Sequence, residues 1–423
     1  MKNIKILAVL AMFALAGCST NAGSKVAEPA ASVQVSAGET EAVESAIAAA
    51  PSGAIFTAWV EHGKDKSMDA FVQKFDANLK PSGEKVRINP VAGNAKAWSG
   101  DPPTVAIGND GSVFVGWTAK AGSEGGGQGN DLFLSVSRDD GKSFSTPVKV
   151  NDDPYPAAHG MHSLAVDKDG RVFVAWLDER YLQTPEKIAA DKAKAEAKAK
   201  GGAKDEKHAA HVEPNAEVYF AVSNDGGKSF SANKKLAADV CPCCKTAVTV
   251  GPDGRVYVGW RQVLPNDFRH IAIASSTDDG GSFSAPSIVS DDQWQLSACP
   301  VAGPSLQVTA NNTLKVAWFT AGAGGPAGVY ETESTDGGKT FAPRRLIGES
   351  MAFSAPTLLP DGTGNFKTLW GESEKIYLAQ SSNKAQEIGQ GDLPAAAIAG
   401  NRIFVTHVKK ENERRGVWLS VVK

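Results

Sequence analysis

The residues of this chain best suited to chemistry are three cysteines in four positions, Cys241-Pro242-Cys243-Cys244. A fourth, Cys299, follows in Ser-Ala-Cys-Pro, and two histidines, His159 and His162, stand in His-Gly-Met-His. An ionised thiol is a soft nucleophile and a soft-metal ligand, and imidazole can complete a metal set. Three cysteines within four residues exceed what one cross-link needs. Three states fit this pattern: disulfides only, with Cys299 bridging to the cluster; copper(I) or zinc(II) held by Cys241, Cys243, Cys244 and Cys299 with help from His159 and His162; and a combination of one disulfide with one thiol pair that is reactive or metal-bound. The spacing is not that of a zinc finger, and no second C-x-x-C accompanies it.

What positions these residues is a repeat. Ala-Ile-Phe-Thr-Ala-Trp59, Val-Phe-Val-Gly-Trp117, Val-Phe-Val-Ala-Trp176, Val-Tyr-Val-Gly-Trp260, Leu-Lys-Val-Ala-Trp318 and Phe-Lys-Thr-Leu-Trp370 are six copies of one apolar strand, and Ile403-Phe-Val-Thr-His407 is a seventh with histidine at the tryptophan position. Few carry charge on either face, which suits strands packed between neighbouring sheets. Turn pairs such as Asp110-Gly111, Asp169-Gly170 and Asp253-Gly254 precede them and supply the positive φ that a tight hairpin needs.

A second repeat, Ser-x-Asp-x-Gly-x-x-Phe, follows in four units, around Asp139 and Gly141, Asp225 and Gly227, Asp278 and Gly280, and Asp336 and Gly338. Ser and Asp side chains bond back to turn amides, Gly takes the strained dihedral and Phe plugs the sheet. This motif resembles the Asp-box, or BNR repeat, of sialidases and sialidase-like proteins, over most of residues 100–345. With a period of roughly 40 to 50 residues, the expected fold is all-β, a single β-propeller of four-stranded blades. Counting the tryptophan strands and His407 favours seven blades; the six of classical sialidases are the alternative. The last unit stops one strand short, and Val33-Gln-Val-Ser36 is expected to supply that strand and close the ring.

Asp139 to Asp225 spans 86 residues, where the next two intervals span 53 and 58. The excess lies at residues 181–214, an insertion whose Ala/Lys/Glu run favours a polar, solvated helix. In a propeller, loops leading into innermost strands share one face with loops joining second to third strands, and Asp-box hairpins lie on the other. All four of these cysteines and all seven histidines then fall on one face, together with Asp178, Arg180, Arg261, Arg269 and Glu372. Loops converging on a central channel make that face the expected binding site.

Sialidase chemistry requires an arginine triad, an acid/base Asp and a Tyr nucleophile activated by Glu. The Phe/Tyr-Arg-Ile-Pro segment of true sialidases is absent, and Val86-Arg87-Ile88-Asn89-Pro90 resembles it only superficially. Asp178, Arg180, Arg261, Arg269 and Glu372 are the catalytic candidates if this chain is a glycoside hydrolase. A narrower resemblance, in Cys-Pro-Cys-Cys-Lys-Thr-Ala and Asp-Gln-Trp-Gln-Leu-Ser-Ala-Cys-Pro-Val-Ala-Gly-Pro, is to bacterial envelope proteins labelled sialidase-like. Those carry His-His where this chain has Val301-Ala302, which removes two candidate ligands.

The N-terminus points to export. Lys2 and Lys5 precede an apolar run from Ile6 to Ala16, too short for a permanent membrane helix, so residues 1–17 read as a signal peptide. Leu15-Ala16-Gly17-Cys18 resembles the lipobox of bacterial lipoproteins, which implies lipidation of Cys18. Ser19 in the next position suggests the outer membrane. Residues 18–31 are then a lipidated tether and 32–423 the propeller. A net charge of −3 supplies no basic face for nucleic acid. The reading is therefore an anchored propeller that binds a soft metal, a glycan or a protein on its Cys/His face. The alternatives are an exo-acting glycoside hydrolase and a structural propeller with disulfides only.

Overall fold

The computed structural model of the protein describes residues 31–121, 129–200, 214–296, 298, 300–351, 355–360, 364–380 and 385–422. Each apolar repeat forms the second strand of an antiparallel unit of four strands, joined in the second unit by a short fifth, Ala95–Lys96: Ile55–His62, Val113–Lys120, Val172–Asp178, Val256–Leu264, Leu314–Thr320, Phe366–Glu372 and Arg402–Glu411. The innermost strand precedes it in every case: Ser45–Ala49, Thr104–Ile107, His159–Val166, Ala247–Val250, Ser305–Val308, Thr357–Pro360 and Asp392–Ala399. These innermost strands touch one another in chain order, and the last touches the first. The sheets are thus arranged about one axis, and the fold is a β-propeller.

The N-terminal segment closes the ring, with its strand starting two residues earlier than the expected Val33–Ser36 and taking Ala31 from the tether. Ala31–Gln34 pairs antiparallel with Arg414–Val422, Val33 opposite Leu419, and becomes the outer strand of the last unit. The outer strand of the third unit, Lys234–Val240, also pairs with the second strand of the fourth through Val240 and Gln262. The two units are thereby fused into one sheet just before the cysteine cluster.

The repeated tryptophans are the core. Trp59, Trp176, Trp260, Trp318 and Trp370 are fully buried. Because antiparallel partners lie side by side, the residue opposite on the third strand decides what each indole packs on. Phe71, Phe133, Tyr219, Tyr330 and Tyr377 stand directly opposite Trp59, Trp117, Trp176, Trp318 and Trp370 and stack on them at 5.2–6.1 Å. Such pairs add about 0.5–1.5 kcal/mol each beyond burial. In the last unit the order is exchanged: His407 sits at the tryptophan position and Trp418 opposite it.

The four Asp boxes share one wiring. In the first, Ser137 Oγ donates to Asp139 Oδ1, the Gly141 amide donates to Ser137 Oγ, and the Ser143 amide donates to Asp139 Oδ1. The bonds recur at Asp225, Asp278 and Asp336. Two consecutive left-handed residues, such as Asp279 (φ 59°) and Gly280 (φ 85°), form each tip. The tips press against the preceding unit: a Cβ at Gly141 would meet Phe56, at Gly227 Leu134 and Val136, and at Gly280 Phe220. Arg138 likewise donates to Gly226 O, and Ser275 to Gly337 O. The boxes therefore clasp neighbouring sheets together.

The insertion begins with a 3-10 turn, Arg180–Gln183, and the helix Pro185–Lys200. Residues 1–30, which include Cys18 and the stretch expected to be a signal peptide, lie outside the described residues, as do Cys299, His208 and His211.

Candidate functional site

Third strands run from one face of the propeller to the other. Asn130 begins one and lines a cavity; Ser137 ends it and opens an Asp box. The cavity, about 560 Å³, is bordered by residues that lead into or begin four successive innermost strands: Trp98 and Asp101, Gly160 and Met161, Pro242 and Cys243, and Val301. It lies on the face opposite the boxes.

Pro242 and Cys243 line it, and Cys241 and Cys244 lie behind them, fully buried. The loop is held from several sides, because a buried turn must satisfy its own backbone. The Cys241 amide donates to Arg261 O, and the Cys244 amide to Cys241 O. Thr246, two residues on, donates through its amide to Met161 O and through its hydroxyl to Ala175 O. Lys245 reaches back to Pro102 O at 2.7 Å, and its burial pushes its ammonium pKa down to about 8.

The three sulfurs are close but not equivalent. Cys243 is disulfide-bonded, whereas Cys241 and Cys244 are free thiols with no exposure. Cys241 Sγ lies 3.3 Å from Cys244 Sγ and 3.9 Å from Cys243 Sγ. The Cys244 S–H donates to Cys241 and holds its pKa below the usual thiol range, assisted by the charges of Arg261 and Arg269 against the opposing effect of burial. Burial and that same bond push Cys244 the other way. The chemical content is a polarised thiol pair beside an oxidised sulfur.

Arg261 and Arg269 turn inward. Arg261 is fully buried and donates to Ala302 O (2.7 and 3.1 Å) and Phe319 O (2.8 Å), with its guanidinium 4.8 Å from the Trp294 ring centre. Arg269 donates through Nε to Leu296 O, and one of its terminal nitrogens is buried with no hydrogen-bond partner among the described residues. Among those residues neither arginine forms a salt bridge to a carboxylate, so two buried positive charges stand beside the thiols.

His159 belongs to a separate network. Its Nδ1 lies 2.7 Å from Asn130 O and its Nε2 lies 2.8 Å from Asp153 Oδ1 and 3.6 Å from Asp178 Oδ2. Burial works against its charge, but the two carboxylates outweigh that and raise its pKa. Burial likewise opposes ionisation of Asp153, yet contact with His159 holds its carboxyl far below the usual range. Arg180 grips Asp178 through Nε and a terminal nitrogen and reaches Asp152 at 2.9 Å. Asp153, His159 and Asp178 have the residue types of a cation site. With Nδ1 bonded to Asn130 O, Nε2 at ion-pair distance from Asp153 and Arg180 gripping Asp178, they make a structural ion cluster instead.

The other candidates scatter. His162 is buried, 3.5 Å from Asp101 Oδ1. Glu372 accepts from Ser350 Oγ and the Met351 amide in the sixth unit. His62 is bonded to Glu44, His270 is buried 3.7 Å from Asp291, and His407 lies in the core against Ser420. Thus Cys241, Cys243 and Cys244 are brought together with Arg261 and Arg269, and His159 with Asp178 and Arg180. Sequence reasoning missed Trp98, Asp101, Asp153 and Lys245. Trp98 and Asp101 precede an innermost strand, as the cysteines do, and the same positional rule could have found them.

No protein-family model matches this chain, and no curated protein matches it. Solved structures do. The polysaccharide lyase Uly1 aligns with a TM-score of 0.55 at 11% identity, over 94% of this chain and 99% of its own. A protein of unknown function from Dyadobacter fermentans aligns with a TM-score of 0.50 at 15% identity, over 94% and 98%. The microbial sialidase Hz136 gives 0.49 at 13%, over 85% and 73%. At these identities the first two establish a shared fold along nearly the whole chain, and the chemistry of the cavity must be read from its own residues.

Proposed function

We propose that this propeller is a binding protein of the bacterial envelope, tethered through Cys18, and that it captures a soft metal ion on Cys241 and Cys244, buried behind the cavity wall. The observation that carries this reading is the pair of buried free thiols 3.3 Å apart, beside two arginines that lack carboxylate partners among the described residues. Thiolates select copper(I) or zinc(II). Two thiolates leave a copper(I) complex negative, which Arg261 and Arg269 offset; the same pair on zinc(II) is neutral, and the arginines would then oppose it. Copper(I) is therefore the favoured ion.

Metal analysis and anaerobic copper(I) titration of the purified full chain, against a chromophoric chelator, test this. One copper(I) per chain is expected, lost in Cys241→Ser and in Cys244→Ser. Failure to take up copper(I) while both thiols remain titratable overturns it.

A second reading rests on Trp98. It is 43% exposed and lies at the rim of the cavity, an aromatic face of the kind on which sugar rings pack. Uly1 is named as a polysaccharide lyase, and a glycan in this cavity would contact Trp98 and Lys96. Turnover of a fluorogenic sialic-acid substrate, lost on Trp98→Ala, would make the protein an exo-acting hydrolase and displace the metal reading.

A further inference from the structure

Cys241 and Cys244 are three residues apart, a C-x-x-C pair whose intervening positions are Pro242 and the disulfide-bonded Cys243. The turn closed by the Cys244 amide on Cys241 O brings both free sulfurs to one side. Cys241 Sγ then sits between the others, 3.3 Å from Cys244 and 3.9 Å from Cys243. Disulfides exchange by attack of a thiolate on a disulfide sulfur, through a mixed disulfide that a second thiol resolves. An attacking sulfur, a resolving sulfur and an oxidised sulfur are all present within contact distance, in a loop fixed by Arg261, Met161 and Ala175.

We propose that the cluster is an internal thiol–disulfide relay, in which the Cys241–Cys244 dithiol and the Cys243 disulfide exchange oxidation state with no outside oxidant. In the first step Cys241 sulfur attacks Cys243 Sγ. A Cys241–Cys243 bond forms, the existing disulfide breaks, and its electron pair leaves on the partner sulfur of Cys243. In the second step Cys244 sulfur attacks Cys241 Sγ, the mixed disulfide breaks, and Cys243 leaves as a thiolate. The protons of Cys241 and Cys244 pass to the two departing sulfurs. One disulfide and two thiols are present before and after.

The consequence is functional. Cys243 borders the cavity, whereas Cys241 and Cys244 are fully buried. The exchange therefore moves reducing power from sealed sulfurs to one that faces the cavity, and it dismantles the thiol pair assigned to the metal. It rests on sulfur geometry in the metal-free chain and stands whether or not the copper(I) reading does.

The test uses the full chain, stripped of metal by chelator, held in native buffer at pH 8 under argon and acid-quenched at intervals. Free thiols are blocked with light N-ethylmaleimide, disulfides are reduced and labelled with the heavy reagent, and the tryptic peptide 236–245 is sequenced by mass spectrometry. The expected result is a population with heavy label on Cys241 and Cys244 and light label on Cys243. It should reach at least about a tenth of the chains, equivalent to a gap of roughly 1.4 kcal/mol between the two states. In Cys244→Ser, which lacks the resolving sulfur, heavy label on Cys241 should occur only with heavy label on Cys243. Heavy label confined to Cys243 in the wild-type chain at every time overturns the relay. Because metal is absent throughout, that result leaves the copper(I) titration to be judged separately.

Discussion

Replacing Gly280 by Ala tests whether the Asp-box tips hold neighbouring sheets together. Gly280 has φ 85°, and an ideal Cβ there would lie 2.4 and 2.7 Å from Phe220 Cε1 and Cζ. Phe220 is 1% exposed, and Phe283 (4.9 Å, edge-on) and Phe173 (6.4 Å) pack against it, so its ring has little room to retreat. Gly254 is the matched control: its φ is 81°, and a methyl added there would meet no atom within 4 Å. Both alanines bear the cost of a left-handed residue, about 1–2 kcal/mol. Only Gly280→Ala adds overpacking, about 1–3 kcal/mol. Guanidinium unfolding followed by tryptophan fluorescence should show about 2–5 kcal/mol lost for Gly280→Ala and about 1–2 kcal/mol for Gly254→Ala. Adding Phe220→Leu to Gly280→Ala should return part of the excess, giving a coupling that distant sites lack. Equal losses from the two glycine changes would refute the clasp.

Two other substitutions probe the buried charges. Arg180→Ala leaves Asp178, with no exposed surface, beside Asp153, and should cost roughly 3–5 kcal/mol by the same unfolding assay. Burial pushes the pKa of His407 down to about 4. Its unfolded form takes up a proton at higher pH than its folded form, so its contribution is complete above about pH 6.5 and is lost progressively down to about pH 4. The decline amounts to about 3 kcal/mol, and His407→Phe should flatten it; an unchanged acid slope in that variant would assign the decline to other groups.

Much of the fold could be read in advance because it is repetitive. The apolar strands ending in Trp59 through Trp370 appear as second strands, the Asp boxes at Asp139, Asp225, Asp278 and Asp336 share one set of bonds, and Val33 pairs opposite Leu419. The polar run at 185–200 is helical. The site was less legible, because its character depends on where side chains turn at strand ends. Arg261 and Arg269 look like rim charges in a sequence, and only the carbonyls of Ala302, Phe319 and Leu296 reveal that they point inward. Likewise, nothing in Cys-Pro-Cys-Cys distinguishes the middle sulfur, which is oxidised, from the outer two. The exchange of aromatic and histidine between His407 and Trp418 could have been found by pairing strands, since each other repeat Trp except Trp260 faces an aromatic residue in that register.

The strand Ala31–Gln34 has a kinetic consequence. The bond from Ser420 Oγ to Ser32 Oγ joins residues 388 apart, so the earliest of the propeller strands to be synthesised is the last to find its place. Closing so long a loop is slow. Until Arg414–Val422 arrives, the final sheet keeps an open edge, and unpaired edges invite association between chains. Ring closure is therefore the step at which folding of this protein is most exposed to misassembly, and a circular permutant joining residue 422 to 31 would convert that step into a local hairpin.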